Sequence, residues 1–171
     1  MKRSPLRRKR PMKCTGFKRK PVSREHQKAL NKAKNLRYKT NPYSPYWKNK
    51  ATTLWSTIVR LKANGRCEYT GKRCDFAHMD AHHIVSRAVH EFRCDIGNGL
   101  AIKKHFHVFD KSAPHGSESI IFYEWLEKTH PDKHALWLDN RNTHRYRKWN
   151  WEMEYERLNA IFKEMFKEDT P

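Results

Sequence analysis

The sequence lacks any long apolar run, and no segment approaches the roughly 20 apolar residues that a transmembrane helix needs. Its basic first residues are not followed by the apolar segment of a secretory signal peptide, so we expect a cytoplasmic protein. Cysteine is scarce, with four residues at Cys14, Cys67, Cys74 and Cys94. In a reducing compartment they are expected to be core residues or metal ligands, and disulfide bonds are not predicted.

The sequence is also poor in acidic residues. Asp and Glu number 18 against 37 Lys and Arg, which gives a formal net charge of +19 over 171 residues. A polyanion relieves such self-repulsion most simply, so nucleic acid is the predicted partner. An anionic membrane surface is the alternative, but it requires a basic helix with a continuous apolar face. Pro5, Pro11 and Pro21 interrupt the N-terminal segment, so no membrane partner is predicted.

Residues 1–22 are mostly Lys, Arg, Pro and Ser. They cannot bury enough apolar surface to offset the entropy lost on ordering, so we predict a disordered basic arm. Its predicted function is to grip phosphates, and a merely solubilising tail is the alternative. The candidate nucleic-acid-binding residues of the arm are Arg7, Arg8, Lys9, Arg10, Lys18, Arg19 and Lys20.

Helices are predicted on either side of the central region. Ser23 can cap a helix that runs to about Tyr38, and a second is expected from about Tyr46 to Ala63. In the second helix we expect Trp55 to be exposed, while a buried stripe is formed by Trp47, Ala51, Leu54, Ile58 and Leu61. After Gly116, Ser117 is predicted to cap a helix that Pro131 stops. A short helical turn and a final helix from Asn150 follow.

Histidine is concentrated between Asp80 and His115, where six of the eleven histidines lie. Histidine titrates near neutrality and is the commonest metal ligand, so the cluster predicts metal-assisted acid–base chemistry. The order of the parts is informative: a His82-His83 pair, an Asn98-Gly99 turn, and His107 nine residues after Asn98. The six histidines are His82, His83, His90, His105, His107 and His115.

This order resembles the HNH (ββα-metal) endonucleases, and in particular the small HNH proteins encoded by bacteriophages. The matching segments are AHHIV at 81–85, NGLAI at 98–102, and His107. The resemblance implies an α+β fold with a ββα-metal core at 66–116, helical extensions at 23–65 and 117–171, and the arm at 1–22. A hairpin over 66–79, an extended MDAHHIV segment and a helix starting after the Asn98-Gly99 turn are expected to build that core. The cytoplasm would be that of a bacterial host.

The resemblance also assigns roles to residues. His83 would be the general base that takes a proton from water, while His82 and His107 would hold one divalent ion. Asn98 would brace the loop and orient the base. Asp80 is the alternative ligand, because it shares strand parity with His82. Arg87 and Lys111 join the candidate nucleic-acid-binding residues.

Two features depart from the family pattern. Lys111 stands where many HNH proteins carry a further ligand one helical turn after the late His, so Asp110, His115 or water could substitute. The paired Cys-x-x-Cys ligands of a structural zinc are missing. Cys67, Cys74 and His78 would need His105 or Cys94 to bind one.

The expected ion is Mg²⁺ or Mn²⁺, because two protein ligands suffice for a hard ion that keeps its water, although imidazoles also accept Zn²⁺ or Ni²⁺. The predicted function is a metal-dependent endonuclease, a phosphodiester hydrolase that cuts DNA by water attack and leaves 5′-phosphate and 3′-hydroxyl ends. The missing ligand and cysteines motivate a non-catalytic nucleic-acid-binding protein on an HNH scaffold as the alternative. A nuclease specific for branched recombination intermediates is a further alternative.

Overall fold

Helices and one small antiparallel sheet make up the residues that the computed structural model describes, 23–143 and 147–167. This mixture agrees with the predicted α+β class. The predicted arm at 1–22, with its candidate phosphate contacts from Arg7 to Lys20, lies outside the described residues. The elements are α1 (Arg24–Thr40), α2 (Pro45–Lys62), β1 (Met79–His83), β2 (Gly99–Lys103), α3 (Lys104–Val108), α4 (Ser119–Thr129), α5 (Pro131–Asn140) and α6 (Trp151–Met165).

Residue–residue contacts within the chain divide it into two units, residues 1–34 and 35–171. Ser23 precedes α1, and its hydroxyl accepts a hydrogen bond from the amide of His26 at 3.2 Å, as a capping residue should. None of the α1 residues is buried. Within the described ranges, no helix has both the length and the apolar character needed to cross a membrane.

The sheet consists of β1 and β2, which pair so that His82 lies opposite Leu100 and His83 opposite Gly99. A helix was expected to start after the Asn98-Gly99 turn and to carry Leu100 and Ile102, and this prediction is wrong. Both residues lie on β2 and pack in one apolar cluster, whereas Ala101 between them packs in the other. Alternation with a period of two explains the pattern, and the helix begins only at Lys104.

Helix α2 is buried on two sides, against α6 and against the sheet. The prediction that Trp55 is exposed is wrong, since the residue is 1% exposed. Its indole Nε1 donates a 2.7 Å hydrogen bond to the carbonyl of Asp95 in the loop between the strands. Helical spacing correctly predicted burial of Ala51 and Ile58, whereas Leu61 is only partly buried. It could not show that a second face of α2 would be covered by the sheet.

The three C-terminal helices each begin at a different kind of residue. Asn150 opens α6 as predicted, and its side-chain oxygen accepts a hydrogen bond from the amide of Met153 at 3.1 Å. Ser117 does not cap α4, whose N-cap is Glu118. Pro131 opens α5 at its first turn, where a missing amide hydrogen costs nothing, and this helix is ten residues long instead of a short turn.

The predicted hairpin over 66–79 is reduced to an isolated bridge between Arg66 and Arg73, followed by a short 3-10 turn at Phe76–His78. Two apolar clusters lie on the two faces of the sheet. One contains Trp55 and Met79, and the other contains Leu100 and Phe122. Because neighbouring residues of a strand face opposite sides, β1 directs His82 toward Phe122 and His83 toward Trp55.

Candidate metal centre and the neighbouring histidine

Four imidazoles line a cleft of about 620 Å³, bordered by α2, β1, α4 and α5. They belong to His82, His83, His107 and His115. Arg87, which is exposed, contributes a cation to the lining, whereas Lys111 is exposed on the loop after α3. The structure therefore collects side chains from β1, from α3 and from the following loop into one space.

Three of these residues can hold a metal ion. His82, His107 and His115 each offer one ligand nitrogen, and these nitrogens lie within 4.8 Å of one another. His82 Nδ1 and His107 Nε2 are 3.2 Å apart. Two nitrogens bound at about 2.0–2.1 Å to one ion at tetrahedral or octahedral angles lie roughly 2.9–3.4 Å apart, so this pair fits a shared ion.

His82 is the most enclosed member of this three-histidine cluster, with 3% of its surface exposed. Its Nε2 is buried without a hydrogen-bond partner. Burial holds the pKa of His82 well below its usual range, and the neighbouring His107, His115 and His83 lower it further. The imidazole is therefore neutral at physiological pH, which is the form that binds a metal.

Asp80 contacts His107 on the side away from His82. The Nδ1–H of His107 donates to Asp80 Oδ2 at 3.2 Å, which leaves the Nε2 lone pair of His107 facing His82. The sequence offers Asp80 as an alternative ligand, but the structure places its carboxylate against His107 and not among the three imidazoles. A carboxylate in this position fixes the tautomer of a ligating histidine and raises its basicity.

We expect Asp80→Ala to weaken binding of Zn²⁺ or Mn²⁺ by about 10- to 100-fold, because His107 loses the partner that orients its ring. Isothermal titration calorimetry with each metal measures the change. Asp75→Ala is the matched control, since Asp75 is an exposed carboxylate beside His78. Equal affinities of the Asp80 and Asp75 variants would contradict the role given to Asp80.

His115 reaches the cluster on the loop between α3 and α4. Asp110 organises this loop, because its carboxylate accepts hydrogen bonds from the amide and the hydroxyl of Ser112, and these bonds lower the pKa of Asp110. The amide of Glu118 donates a 2.8 Å hydrogen bond to the carbonyl of Lys111, and this bond closes the loop. A Cβ at Gly116 would lie 2.2 Å from that same carbonyl oxygen, so only glycine fits beside His115. Of the substitutes considered for the further ligand, the structure therefore brings His115 to the cluster and turns Asp110 toward Ser112.

His83 lies next to His82 in sequence but in a different environment. Its Nε2–H donates to the carbonyl of Arg93 at 2.9 Å, and its ring stacks on Trp55 with 3.9 Å between ring centroids. Burial lowers the pKa of His83 to about 4, against the opposing effect of the Arg93 carbonyl. The carbonyl therefore fixes the tautomer in which Nδ1 carries the lone pair, and the ring is neutral at pH 7.

Asn98 is fully buried and braces the loop that follows β1. Its Oδ1 accepts from the amide of Val85 at 2.6 Å, and its Nδ2 donates to the carbonyls of Val85 and Phe92. Phe92 directly precedes Arg93, whose carbonyl holds His83. Asn98 is thus connected to His83 through the backbone of this loop.

The cysteines take part in packing and backbone contacts. Cys67 is buried, and its sulfur accepts a hydrogen bond from the amide of Lys103 at 3.3 Å. Cys94 is buried in the other apolar cluster, where burial raises the pKa of its thiol to about 12. Cys14 lies in the part of the chain that is not described.

Sequence reasoning missed two parts of this site. Trp55, which was expected to be exposed, forms the surface on which His83 stacks, and the Arg93 carbonyl that orients His83 carries no side-chain signal at all. The Trp55 indole N–H was a usable signal, because a buried tryptophan needs a hydrogen-bond partner and is often held at a fixed orientation. Comparisons with protein-family models, with curated proteins and with solved structures gave no match.

Proposed function

We propose that this chain is a metal-dependent endonuclease of the HNH type, which hydrolyses DNA phosphodiester bonds with His83 as the general base. One observation carries the proposal: the two adjacent imidazoles on β1 face different sides of the sheet and contact different groups. His82 joins His107 and His115 in a cluster of ligand nitrogens, while His83 is held by a backbone carbonyl. The succession of β1, β2 and α3 in the described chain supports an arrangement of the ββα kind.

His82, His107 and His115 would hold the ion. A bound divalent ion would supply a Lewis acid that neutralises charge on the phosphate and stabilises the leaving oxygen. Three neutral imidazoles favour an ion such as Zn²⁺, Mn²⁺ or Ni²⁺ over Mg²⁺, which prefers oxygen ligands. The third imidazole therefore shifts the expectation away from Mg²⁺.

His83 would take the proton from the attacking water at Nδ1. Its other nitrogen stays bonded to the Arg93 carbonyl, which would stabilise the imidazolium that forms, and the stack on Trp55 holds the plane of the ring. General-base catalysis of this kind contributes about 10²- to 10⁴-fold to a rate. Arg87, exposed at the same cleft, supplies a cation for the phosphate backbone.

DNA as the substrate rests on charge. A net charge of +19 favours binding through phosphates and counterion release, so binding should weaken steeply as salt is raised. Binding of this type carries little sequence information, and sequence preference should accordingly be weak.

The test is cleavage of a supercoiled plasmid by the wild-type chain with Zn²⁺, Mn²⁺, Ni²⁺ or Mg²⁺, each against a chelated control. We expect nicking and linearisation that depend on the ion, with Mn²⁺ or another transition ion ahead of Mg²⁺. Salt-dependent binding without any metal-stimulated cleavage would support the non-catalytic nucleic-acid-binding protein instead. Cleavage of a four-way junction alone, with a matched linear duplex left intact, would support the branch-specific nuclease.

A further inference from the structure

Phe109, which directly follows α3, is 76% exposed, the largest exposed fraction among the big apolar side chains in the described residues. Its ring lies 6.3 Å from that of His105, and Val108 beside it is 52% exposed. Folding gains little from a phenylalanine that remains in water, so the adjacent Phe109 and Val108 side chains stay available as an apolar surface for a ligand.

The backbone beneath the ring is held firmly. The amide of Phe109 donates to the carbonyl of His105 at 3.0 Å, and the amide of Asp110 reaches the same carbonyl at 3.2 Å. The following loop is closed by the bond from Glu118 to Lys111. The backbone at Phe109 is therefore fixed by hydrogen bonds, so little conformational entropy is lost there when the ring binds a ligand.

Exposed lysines flank the ring in the sequence. Lys103, Lys104 and Lys111 are exposed on the chain on either side of it. Asp110, the neighbouring acid, has its carboxylate bound to Ser112. An exposed aromatic ring with exposed lysines on either side of it in the sequence matches a ligand that combines phosphates with flat rings, and a single strand of nucleic acid has both.

The position of Phe109 relates it to the metal centre. Phe109 follows His107 by two residues, so at most about 7 Å separates their Cα atoms, and its ring does not line the cleft that contains the three-histidine cluster. The ring would therefore miss the phosphate at the three-histidine cluster. It would meet a base within a few nucleotides of that phosphate, since successive nucleotides of one strand are about 3.4 Å apart along the helix axis.

We propose that Phe109 stacks on an unpaired or flipped nucleobase a few nucleotides from the cut. The substrate class is then DNA with accessible bases: a single strand, a bulge, or a duplex opened at a junction. The position of the stacked base relative to the cut rests on the proposed function. The stacking itself does not require catalysis.

The test is binding of a single-stranded oligonucleotide containing 2-aminopurine to the full chain, with a chelator present so that nothing is cut. We expect Phe109→Ala to weaken binding about 10-fold and to abolish the quenching of 2-aminopurine that stacking causes. Phe109→Trp should keep both properties, and Phe109→Leu, which is apolar but cannot stack, should lose the quenching. Phe166→Ala is the matched control, because Phe166 is 51% exposed and follows α6.

Two results would overturn the inference. One is unchanged affinity and quenching in Phe109→Ala. The other is a wild-type chain whose mass in solution rises with concentration while that of Phe109→Ala does not, with oligonucleotide affinity equal in both, since the ring would then serve self-association. Because the assay contains no metal, a chain that stacks bases but never cleaves would refute the nuclease and leave the stacking intact.

Discussion

Replacing His83 with alanine should lower the rate of metal-dependent plasmid cleavage by about 10²- to 10⁴-fold, while metal affinity stays close to that of the wild type. The two effects separate because His83 contacts Trp55 and the Arg93 carbonyl, whereas the ligand nitrogens belong to the three-histidine cluster. A gel assay of plasmid nicking measures the rate, and calorimetry measures the affinity.

His78→Ala is the matched control, since His78 is exposed at the 3-10 turn just before β1. It should cleave at the wild-type rate. Circular dichroism should show both variants folded. Cleavage by His83→Ala at the wild-type rate would remove His83 from the mechanism, and a parallel loss of metal affinity would assign it to the ion instead.

Asn98→Ala should lower the free energy of unfolding by about 4 kcal/mol, because two buried backbone groups and one partly buried group lose their partners at roughly 1–3 kcal/mol each. The affected groups are the amide and carbonyl of Val85 and the carbonyl of Phe92. The loop that carries the Arg93 carbonyl would then move, so cleavage should fall even at temperatures where the variant remains folded. Urea denaturation and the plasmid assay measure the two effects.

Asn49→Ala provides the comparison, since Asn49 is exposed on α2 and its removal should change stability by no more than about 0.5 kcal/mol. Asn98→Asp tests the donors alone, because aspartate keeps an acceptor for the Val85 amide but cannot donate to the two carbonyls. Equal stability of Asn98→Ala and Asn49→Ala would contradict the bracing role.

Part of this arrangement could be predicted from the sequence. The order of His82, His83, Asn98 and His107 is local and dense, so it identified residues that the structure brings together. The α+β class and the starts of α1 and α6 followed from capping residues and apolar spacing. These signals lie within a few neighbouring residues, which is why they could be recognised before the fold was known.

The rest depended on contacts between distant segments. His115 comes eight residues after His107, and it reaches the cluster because the loop closes between Lys111 and Glu118 at a point where Gly116 admits no side chain. The apolar run at 100–102 was too short to separate strand from helix, and pairing with β1 decided the outcome. Trp55 was misassigned because burial against a sheet leaves no periodic signature in a helix that is also buried against α6.

The alternation of β1 has a consequence for how insertions would act on this protein. A slip of β1 against β2 by one residue would exchange the sides that the two adjacent imidazoles face. His83 would then face the ion-binding cluster, and His82 would face the indole of Trp55. A change in the length of the loop at 84–98 is therefore tolerable only if the pairing of His83 with Gly99 survives it.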